Sequence, residues 1–326
     1  MKTIRLGNTP LEASRIAYGC MQIGGSRDRN RPITSQAQRD ALAAIRAALE
    51  CGINFFDHAD IYCAGKSEEV FSLIWRESPH LREKVIVQTK CGIRFEGDPN
   101  DRAPGRYDFR YDHIVRSVEG SLKRLQTGYL DVLLLHRPDA LVEPDEVARA
   151  FDDLYHSGKV RFFGLSNHTA AQIALLQSHL DQLFVANQLE LNILHTHLID
   201  EGIVFNQSNP AKVVRGEGTL EYCRLHNITI QAWAPLAGGA VAGTGDSPSG
   251  AAKNVSALVA DLAREKNVSR EAIAIAWLLR HPAYIQPIIG TTKPERIRAA
   301  CEADSIELTR EEWYRLFIAG RGGPLP

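Results

Sequence analysis

The stretch Asp131-Val132-Leu133-Leu134-Leu135-His136 is an apolar run that predicts a buried strand ending at a histidine. Two other stretches have the same pattern: Ile53–Phe56 leads into Asp57, and Val85–Thr89 leads into Lys90. In a closed parallel barrel, the C-terminal ends of the strands meet at one rim, where such folds carry out their chemistry. We therefore expect four polar residues to lie together at this rim: Asp57, Tyr62, Lys90 and His136.

Strand-like and helix-like segments alternate along the chain, which predicts parallel strand pairing. Eight segments are predicted strands: residues 16–18, 53–56, 85–89, 131–135, 161–165, 185–189, 229–232 and 285–289. Between them, stretches such as Ser35–Glu50 and Asp112–Leu125 have apolar residues at helical spacing. No GxGxxG turn follows the first strand, so the pattern favours an α/β fold of the (β/α)8 TIM barrel type over an open doubly wound sheet.

An N-terminal segment and three long connections are predicted in addition to the barrel. Lys2–Leu6 and Leu11–Arg15 flank the turn-rich residues 7–10, and they predict a β-hairpin that covers the barrel bottom. Three connections that follow strands are long, so we expect them at the C-terminal rim: residues 92–111, 192–218 and 235–252. The glycine-rich third one is suited to fold over a ligand, or is a plain surface loop. A single barrel domain spanning residues 1–326 accommodates these insertions.

Bulk composition argues against several classes of protein. Lys and Arg total 38 and Asp and Glu total 39, so charge gives no reason to expect nucleic acid or an anionic membrane as partner. The first residues contain no apolar signal core and no apolar run reaches membrane-spanning length, which predicts a cytoplasmic protein. The six cysteines lack a CxxC pair, which is typical of reduced thiols and gives no indication of a bound metal.

The four polar residues suit the reduction of a carbonyl group. Hydride delivery puts negative charge on the carbonyl oxygen, which must be protonated, and a phenol with a pKa near 10 is a weak acid for this task. We expect Lys90 to lower the pKa of Tyr62, Asp57 to hold Lys90, and His136 to donate a hydrogen bond to the carbonyl oxygen. The alternative is a structural Asp57–Lys90 ion pair with a buried core histidine; four such residues on one rim favour the catalytic interpretation.

The chain resembles the aldo-keto reductases. Residues 52–62 with Gly65-Lys66-Ser67-Glu68 are similar to the first signature of that family, and Leu122–Leu125 with Tyr129-Leu130-Asp131 and His136 to the second. The resemblance covers nearly the whole chain and is greatest to bacterial YdhF-like oxidoreductases, which share a stretch like His136-Arg137-Pro138-Asp139. It implies NADPH-dependent reduction of an aldehyde or ketone, with a small-molecule carbonyl substrate and with Asp57, Tyr62, Lys90 and His136 as catalytic residues.

The resemblance also implies where the nicotinamide ring lies. Ser166, Asn167 and Gln188 correspond to residues that bind its carboxamide. Trp233 stands where the family usually has a stacking tyrosine, and an indole can stack equally well; a buried rim tryptophan is the alternative. The stretch after Trp233 is expected to contact the cofactor through Pro235, Leu236 and Gly238.

Residues 287–296 resemble the family's phosphate-binding segment, whose expected contacts here are Gly290, Thr291, Thr292, Lys293 and Arg296. Gly290 stands where many members have lysine, and Ala299-Ala300 where many have a Glu-Asn pair that contacts adenine. A guanidinium can bind the ribose 2′-phosphate with two hydrogen bonds, so Arg296, supported by Lys293, favours NADPH over NADH. An ordinary solvated helix start is the alternative for both charges.

Two alternative functions remain open. One is a Schiff-base enzyme with Lys90 as the nucleophile; the other is a cofactor-bound redox-sensing regulatory subunit with little turnover. The first long loop offers side chains for an aromatic or acidic carbonyl compound, or merely solvated charges: Arg94, Phe95, Arg106, Tyr107 and Phe109. Cys63 stands where the family often has glycine, and we expect Cys20, Cys63 and Cys91 to be small buried side chains near the rim.

Overall fold

A short antiparallel hairpin precedes a closed barrel. The structure, a computed structural model, describes residues 1–204, 217–243 and 250–325. The hairpin strands are β1 (Thr3–Arg5) and β2 (Glu12–Ser14). The barrel strands are β3 (Ala17–Gly19), β4 (Phe55–Asp57), β5 (Ile86–Cys91), β8 (Leu130–Leu135), β9 (Val160–Ser166), β10 (Phe184–Glu190), β11 (Thr229–Trp233) and β12 (Gln286–Ile289). A second hairpin, β6 (Ile93–Arg94) with β7 (Arg106–Tyr107), lies in the first long loop.

The barrel strands all pair in parallel, in the closed order β10-β11-β12-β3-β4-β5-β8-β9. The eight strands predicted from the sequence are therefore confirmed, with ends that differ by up to two residues. On β4 and β5, Phe55 and Ile86 face the interior and belong to one apolar cluster, whereas Phe56 and Val87 belong to the cluster that packs under the helices. Residues alternate between these two faces along a strand.

Helices follow the strands and cover the outside of the barrel. The helices in the described residues are α1 (Ser35–Glu50), α2 (Lys66–Phe71), α3 (Ile74–Glu77), α4 (Tyr111–Leu125), α5 (Pro144–His156), α6 (Ala170–Gln177), α7 (His197–Val204), α8 (Thr219–Leu225), α9 (Ala251–Lys266), α10 (Arg270–Leu279), α11 (Pro294–Cys301) and α12 (Arg310–Arg321). The side chain of Thr34 caps α1 by accepting a hydrogen bond from the Ala37 nitrogen. Gly52 follows that helix at a φ of 82°, a left-handed conformation that glycine adopts without strain.

The N-terminal hairpin covers the bottom of the barrel, as predicted. Its buried residues Leu6 and Ala13 share an apolar cluster with Phe55, Ile86 and Val132 from the barrel interior. The end of the barrel that this hairpin leaves uncovered is the C-terminal rim, where barrels of this kind have their active sites.

Charged residues in the two stretches that resemble family signatures form buried ion pairs. Arg124 donates from Nε to Glu68 Oε2 at 2.7 Å, and the Thr89 hydroxyl donates to Glu68 Oε1 at 2.7 Å. Asp131 lies at the start of β8, and its Oδ2 is 2.8 Å from Arg82 Nη1. These pairs connect helices and loops to the barrel strands, so their role is structural. Breaking one by removing a single partner would leave a buried charge unpaired.

Parts of the long loops lie outside the described residues, namely 205–216 in the second loop and 244–249 in the third. The prediction that the third loop folds over a ligand falls partly on this segment. In the rest of the chain, no helix combines the length and the apolar character needed to cross a membrane.

Candidate active site

The four polar residues singled out from the sequence meet at the C-terminal rim. Lys90, at the end of β5, directs its Nζ to Asp57 at 2.7 Å from Oδ2 and 2.8 Å from Oδ1. The same Nζ lies 3.0 Å from the Tyr62 hydroxyl and 2.9 Å from the His58 carbonyl oxygen. His136 directly follows β8, and its ring centroid lies 6.0 Å from that of Tyr62, with the rings nearly perpendicular. The structure thus brings an acid, its cationic neighbour and an imidazole to one place.

A left-handed turn directly follows Tyr62. Cys63 and Ala64 have φ angles of 50° and 59°, and Gly65 has a φ of 90°. Left-handed conformations cost non-glycine residues about 1 to 2 kcal/mol each, so the backbone of this turn is strained at Cys63 and Ala64. The turn lets the chain leave β4 and enter α2 within a few residues.

Lys90 remains protonated in this surrounding. Burial alone would lower the pKa of its ammonium, but the Asp57 carboxylate, and then Tyr62, outweigh burial and raise that pKa above its usual value. A charged Lys90 has no free electron pair with which to attack a carbonyl carbon.

The pKa of Tyr62 differs from the sequence-based expectation of a lowered value. Burial of the phenol raises this pKa, Lys90 lowers it, and Asp57 raises it again, so that the pKa lies above 10. Tyr62 therefore stays protonated throughout the neutral range. Lys90 still acts in the expected direction, because without it the pKa would be higher.

His136 is neutral at physiological pH. Burial, followed by the positive charges of Lys90 and Arg137, lowers its pKa to about 2. Its Nδ1 is buried without a hydrogen-bond partner among the described residues. A neutral imidazole can donate one hydrogen bond to a substrate oxygen, but it cannot supply a proton as an imidazolium can.

Two glutamine amides also hold Asp57. Gln88 donates from Nε2 to Asp57 Oδ1 at 2.6 Å, and Gln188 donates from Nε2 to the same oxygen at 3.0 Å. Sequence reasoning singled out Gln188 and missed Gln88. The available signal was the spacing of Gln88 and Lys90, which are two residues apart on β5 and so point to the same interior face.

The residues expected at the nicotinamide carboxamide are adjacent and joined by hydrogen bonds. The Ser166 hydroxyl donates to the Gln188 carbonyl oxygen at 2.9 Å. Asn167, at a φ of 63°, donates from Nδ2 to Ser166 Oγ at 2.9 Å and to the His136 carbonyl oxygen at 3.2 Å. Trp233 donates from Nε1 to Asn167 Oδ1 at 3.1 Å. The sequence thus correctly grouped these residues on neighbouring strands.

Trp233 is half-buried at the end of β11, where one side of its ring lies near the guanidinium of Arg137, 5.9 Å from the ring centroid. The chain then turns through Pro235 and Leu236 into a short 3₁₀ turn that contains Gly238. Gly238 is exposed at a φ of 65°, and no heavy atom lies within 4 Å of where its Cβ would be. A side chain at position 238 would therefore meet open space.

The segment that resembles a phosphate-binding site lies between β12 and α11. The Tyr18 hydroxyl donates to the Thr291 carbonyl oxygen at 3.1 Å, and the Lys293 nitrogen donates to Thr291 Oγ1 at 3.2 Å. Gly290 is exposed and Thr292 is half-buried next to this turn.

Two cations stand at the start of α11. Lys293 is its N-terminal cap residue and Arg296 lies in its first turn. Neither forms an ion pair with any of the described residues. Positive charges are unfavourable at a helix N-terminus, whereas an anion there is stabilised. The arrangement of these residues therefore fits an anionic group, as a phosphate of a dinucleotide would supply.

Several loop residues that the sequence placed at the mouth have other roles. Arg94 is 7% exposed and pairs with Asp98 at 2.7 Å and Asp108 at 3.0 Å, and Phe109 is 1% exposed. Arg106 donates from Nη1 to the Asp98 carbonyl oxygen at 2.7 Å. The charges hold the loop together instead of facing a substrate. Two aromatic residues of that loop are exposed, Phe95 and Tyr107.

The three cysteines near the rim are buried free thiols. Cys63 donates from Sγ to the Met21 carbonyl oxygen at 3.2 Å. Burial raises the pKa of Cys20 and of Cys91 well above the usual range, which makes both thiols unreactive. Across the described residues, no group of His, Cys, Asp and Glu side chains is arranged to hold a metal ion.

Comparison with known proteins gives a consistent family match. A model of the Aldo/keto reductase family matches residues 15–319. The chain is 36% identical to a 6-dehydroglucose reductase of Agrobacterium fabrum over 313 residues, 96% of each chain. It is 38% identical to Oxidoreductase YdhF of Escherichia coli over 293 residues, 90% of this chain and 91% of the other. The glycerol dehydrogenase AKR11B4 from Gluconobacter oxydans superposes with a TM-score of 0.81 at 25% identity, covering 100% of this chain and 97% of the other.

Proposed function

Because the chain belongs to the aldo/keto reductase family, an oxidoreductase family that uses nicotinamide cofactors, we propose that it reduces an aldehyde or ketone to an alcohol with NADPH. The reaction takes place in the cytoplasm on a small-molecule substrate. The observation that carries the proposal is the position of Lys90 Nζ, which contacts the Tyr62 hydroxyl at 3.0 Å and both Asp57 oxygens. This is the arrangement that an acid needs when its conjugate base must be stabilised.

The chain's own residues fit the cofactor at two places. Ser166, Asn167 and Gln188 form a polar group beside His136, where a carboxamide can exchange hydrogen bonds. Lys293 and Arg296, without ion-pair partners in the described part of the chain, suit phosphate. When bound, the reduced nicotinamide supplies the hydride.

The catalytic role of each residue follows from its protonation state. Tyr62 is protonated and donates its proton to the carbonyl oxygen. Lys90 then stabilises the phenolate that remains, and Asp57 keeps Lys90 charged and in place. His136, as a neutral imidazole, orients the carbonyl oxygen by a hydrogen bond and stabilises the negative charge that develops on it.

The two other candidate functions have less support. A Schiff-base mechanism needs a neutral Lys90, whereas the amine here is protonated and donates to Asp57, Tyr62 and the His58 carbonyl oxygen. No adduct of Lys90 should appear on borohydride treatment with a carbonyl substrate. A regulatory subunit with little turnover has the same contacts as a reductase, so turnover itself separates these two.

The deciding experiment is a substrate panel followed by absorbance of the reduced cofactor. Aldehydes, ketones and quinones should be tested with NADPH and with NADH. The panel should include 6-dehydroglucose, because one relative is named as its reductase. Turnover of at least one carbonyl compound, with stoichiometric formation of the alcohol, is the expected result. Binding of cofactor without turnover of any compound would favour the regulatory subunit.

A further inference from the structure

Four buried glutamines form a chain of hydrogen bonds through the barrel interior. They lie on β5, β10, β11 and β12, and each is at most 2% exposed: Gln88, Gln188, Gln231 and Gln286. Gln188 is paired with Gln231, and Gln231 with Gln286, in the registers of neighbouring parallel strands. Paired residues point to the same side of a sheet, so these amides meet inside the barrel.

The direction of the amides is fixed at the bottom of the barrel by a backbone carbonyl. Gln286 donates from Nε2 to the Ser14 carbonyl oxygen at 2.8 Å, which leaves Gln286 Oε1 to accept from Gln231 Nε2 at 2.9 Å. Gln231 Oε1 in turn accepts from Gln88 Nε2 at 2.8 Å and from Gln188 Nε2 at 3.1 Å. Because a carbonyl oxygen can only accept, the orientation of the Gln286 amide determines that of Gln231, which in turn determines those of Gln88 and Gln188.

Asp57 fixes the other end in the same direction. Its Oδ1 accepts from the nitrogens of Gln88 and Gln188, so both N–H groups of each amide are used, one toward Asp57 and one toward Gln231. A reversed Gln231 would place its own N–H groups against those of Gln88 and Gln188. This polarity leaves Gln88 Oε1 buried without a partner in the described residues.

We propose that Gln231 is a positioning residue that holds the Gln188 amide in one orientation, with its nitrogen toward Asp57 and its oxygen available to the nicotinamide carboxamide. The role rests on the proposed function, in which Gln188 binds that carboxamide. Since both N–H groups of Gln188 are already used, the ligand must provide an N–H donor to Oε1. Gln231 thereby makes the site selective for a carboxamide over an acetyl group of the same shape.

The test compares binding of the oxidised cofactor with binding of its 3-acetylpyridine analogue, in which a methyl group replaces the carboxamide nitrogen. In the wild-type protein, the analogue should bind about three- to tenfold more weakly, because Gln188 Oε1 loses a hydrogen bond. In Gln231→Met, Gln188 keeps only its bond to Asp57 Oδ1, so its second N–H group is released and can turn to donate to the acetyl oxygen. The ratio of the two dissociation constants should then fall to about one or two.

Two variants control for a merely structural effect. Gln231→Glu, protonated beside Asp57, accepts from Gln88 and Gln188 and donates to Gln286, so it should retain the wild-type ratio. Thr229→Val removes a polar group from the same face of β11, a hydroxyl that accepts from the Gly7 nitrogen at 2.8 Å and takes no part in the chain of amides. It too should retain the wild-type ratio, measured on protein whose fold is checked by circular dichroism.

The outcomes separate the inference from the function on which it rests. An unchanged ratio in Gln231→Met, with normal cofactor binding by the wild type, overturns the positioning role and leaves the reductase standing. Failure of the wild type to bind either NADP⁺ or NAD⁺ overturns both. Should Gln231→Met not fold, Gln231→Leu replaces it, because it removes the same acceptor with a side chain of another shape; a wild-type ratio there rejects the inference.

Discussion

Lys90 Nζ and the Tyr62 hydroxyl share a hydrogen bond of 3.0 Å, and the charge of Lys90 and the burial of the phenol shift the pKa of Tyr62 in opposite directions. Burial raises the pKa of Tyr62, and the charge of Lys90 lowers it. The first effect is the larger, so Tyr62 is a fully protonated acid whose conjugate base has a cation beside it. The ammonium is therefore expected to act mainly after the proton has left.

Replacing Tyr62 by phenylalanine should lower kcat for carbonyl reduction by about a hundredfold to ten-thousandfold. The dissociation constant of NADPH should hardly change, because the substitution removes the proton donor and little else. Steady-state kinetics and a fluorescence titration of the cofactor measure the two quantities. Turnover close to that of the wild type would exclude Tyr62 as the acid.

Replacing Lys90 by methionine should reduce turnover to a similar degree and also destabilise the fold. Asp57 would become a buried charge without its partner, at a cost of about 3 to 5 kcal/mol in the free energy of unfolding. Asp57→Asn added to Lys90→Met removes that charge, so the double variant should regain stability but not activity. Urea unfolding and kcat measure the two effects, and recovery of both together would contradict the assignment.

The rate of carbonyl reduction should be nearly constant between about pH 6 and pH 9. The pKa of Tyr62 lies above 10 and that of His136 is about 2, so neither group changes its protonation within this window. As pH rises through the Tyr62 pKa, the acid is lost and the rate should fall. The measurement is kcat/KM against pH at saturating cofactor. Burial raises the pKa of nearby Asp60 to about 7, so an inflection near neutral pH that persists in Asp60→Asn would contradict the assigned states.

Arg296→Ala should weaken the binding of NADPH more than the binding of NADH, because only NADPH carries the 2′-phosphate. The expected difference is about 1 to 3 kcal/mol, or roughly five- to 150-fold in the ratio of dissociation constants. Lys293→Ala is the matched control at the same helix start. Equal weakening of both cofactors by Arg296→Ala would remove Arg296 from phosphate recognition, and a larger selective effect of Lys293→Ala would transfer the role to that residue.

Binding of NADPH should quench tryptophan fluorescence mainly through Trp233. The other three tryptophans lie in outer helices: Trp75, Trp277 and Trp313. Trp233→Tyr and Trp233→Ala should both lose most of the quench, whereas Trp75→Phe should keep it. The alanine variant should bind NADPH about fivefold more weakly, as expected for a lost stacking contact. A quench of full amplitude in Trp233→Tyr would show that another tryptophan reports on the cofactor.

Much of the architecture could be predicted because it depends on local patterns. The apolar runs that end in Asp57, Lys90 and His136 predicted both the strands and the rim on which these residues lie. The role of Gln88 could not be predicted in this way, because one of its partners, Gln231, lies 143 residues further along the chain and meets it only when the barrel closes. The raised pKa of Tyr62 could not be predicted for a related reason, since the extent to which the phenol is buried is a property of the assembled barrel.

The long first loop shows a further limit of the sequence. Arg94 and Asp108 are not adjacent in the chain, and their ion pair forms only when β6 pairs with β7. From the sequence, Arg94 is an available cation near the rim. In the folded loop it is already neutralised, and so the composition of a loop does not reveal which of its charges remain for a ligand.

The contact of Gln286 with the Ser14 carbonyl oxygen joins residues 272 positions apart. Ser14 is synthesised near the beginning of the chain and Gln286 near its end, so a nascent chain lacks this contact until nearly all of the barrel has been made. Closing so large a loop is entropically costly and is offset only when the last strand docks. An intermediate that lacks β12 would contain Asp57, Lys90 and Tyr62, but the chain of amides around them would lack its anchor at the Ser14 carbonyl oxygen. Competence to bind cofactor in a defined pose should therefore appear late in folding, after most of the secondary structure has formed.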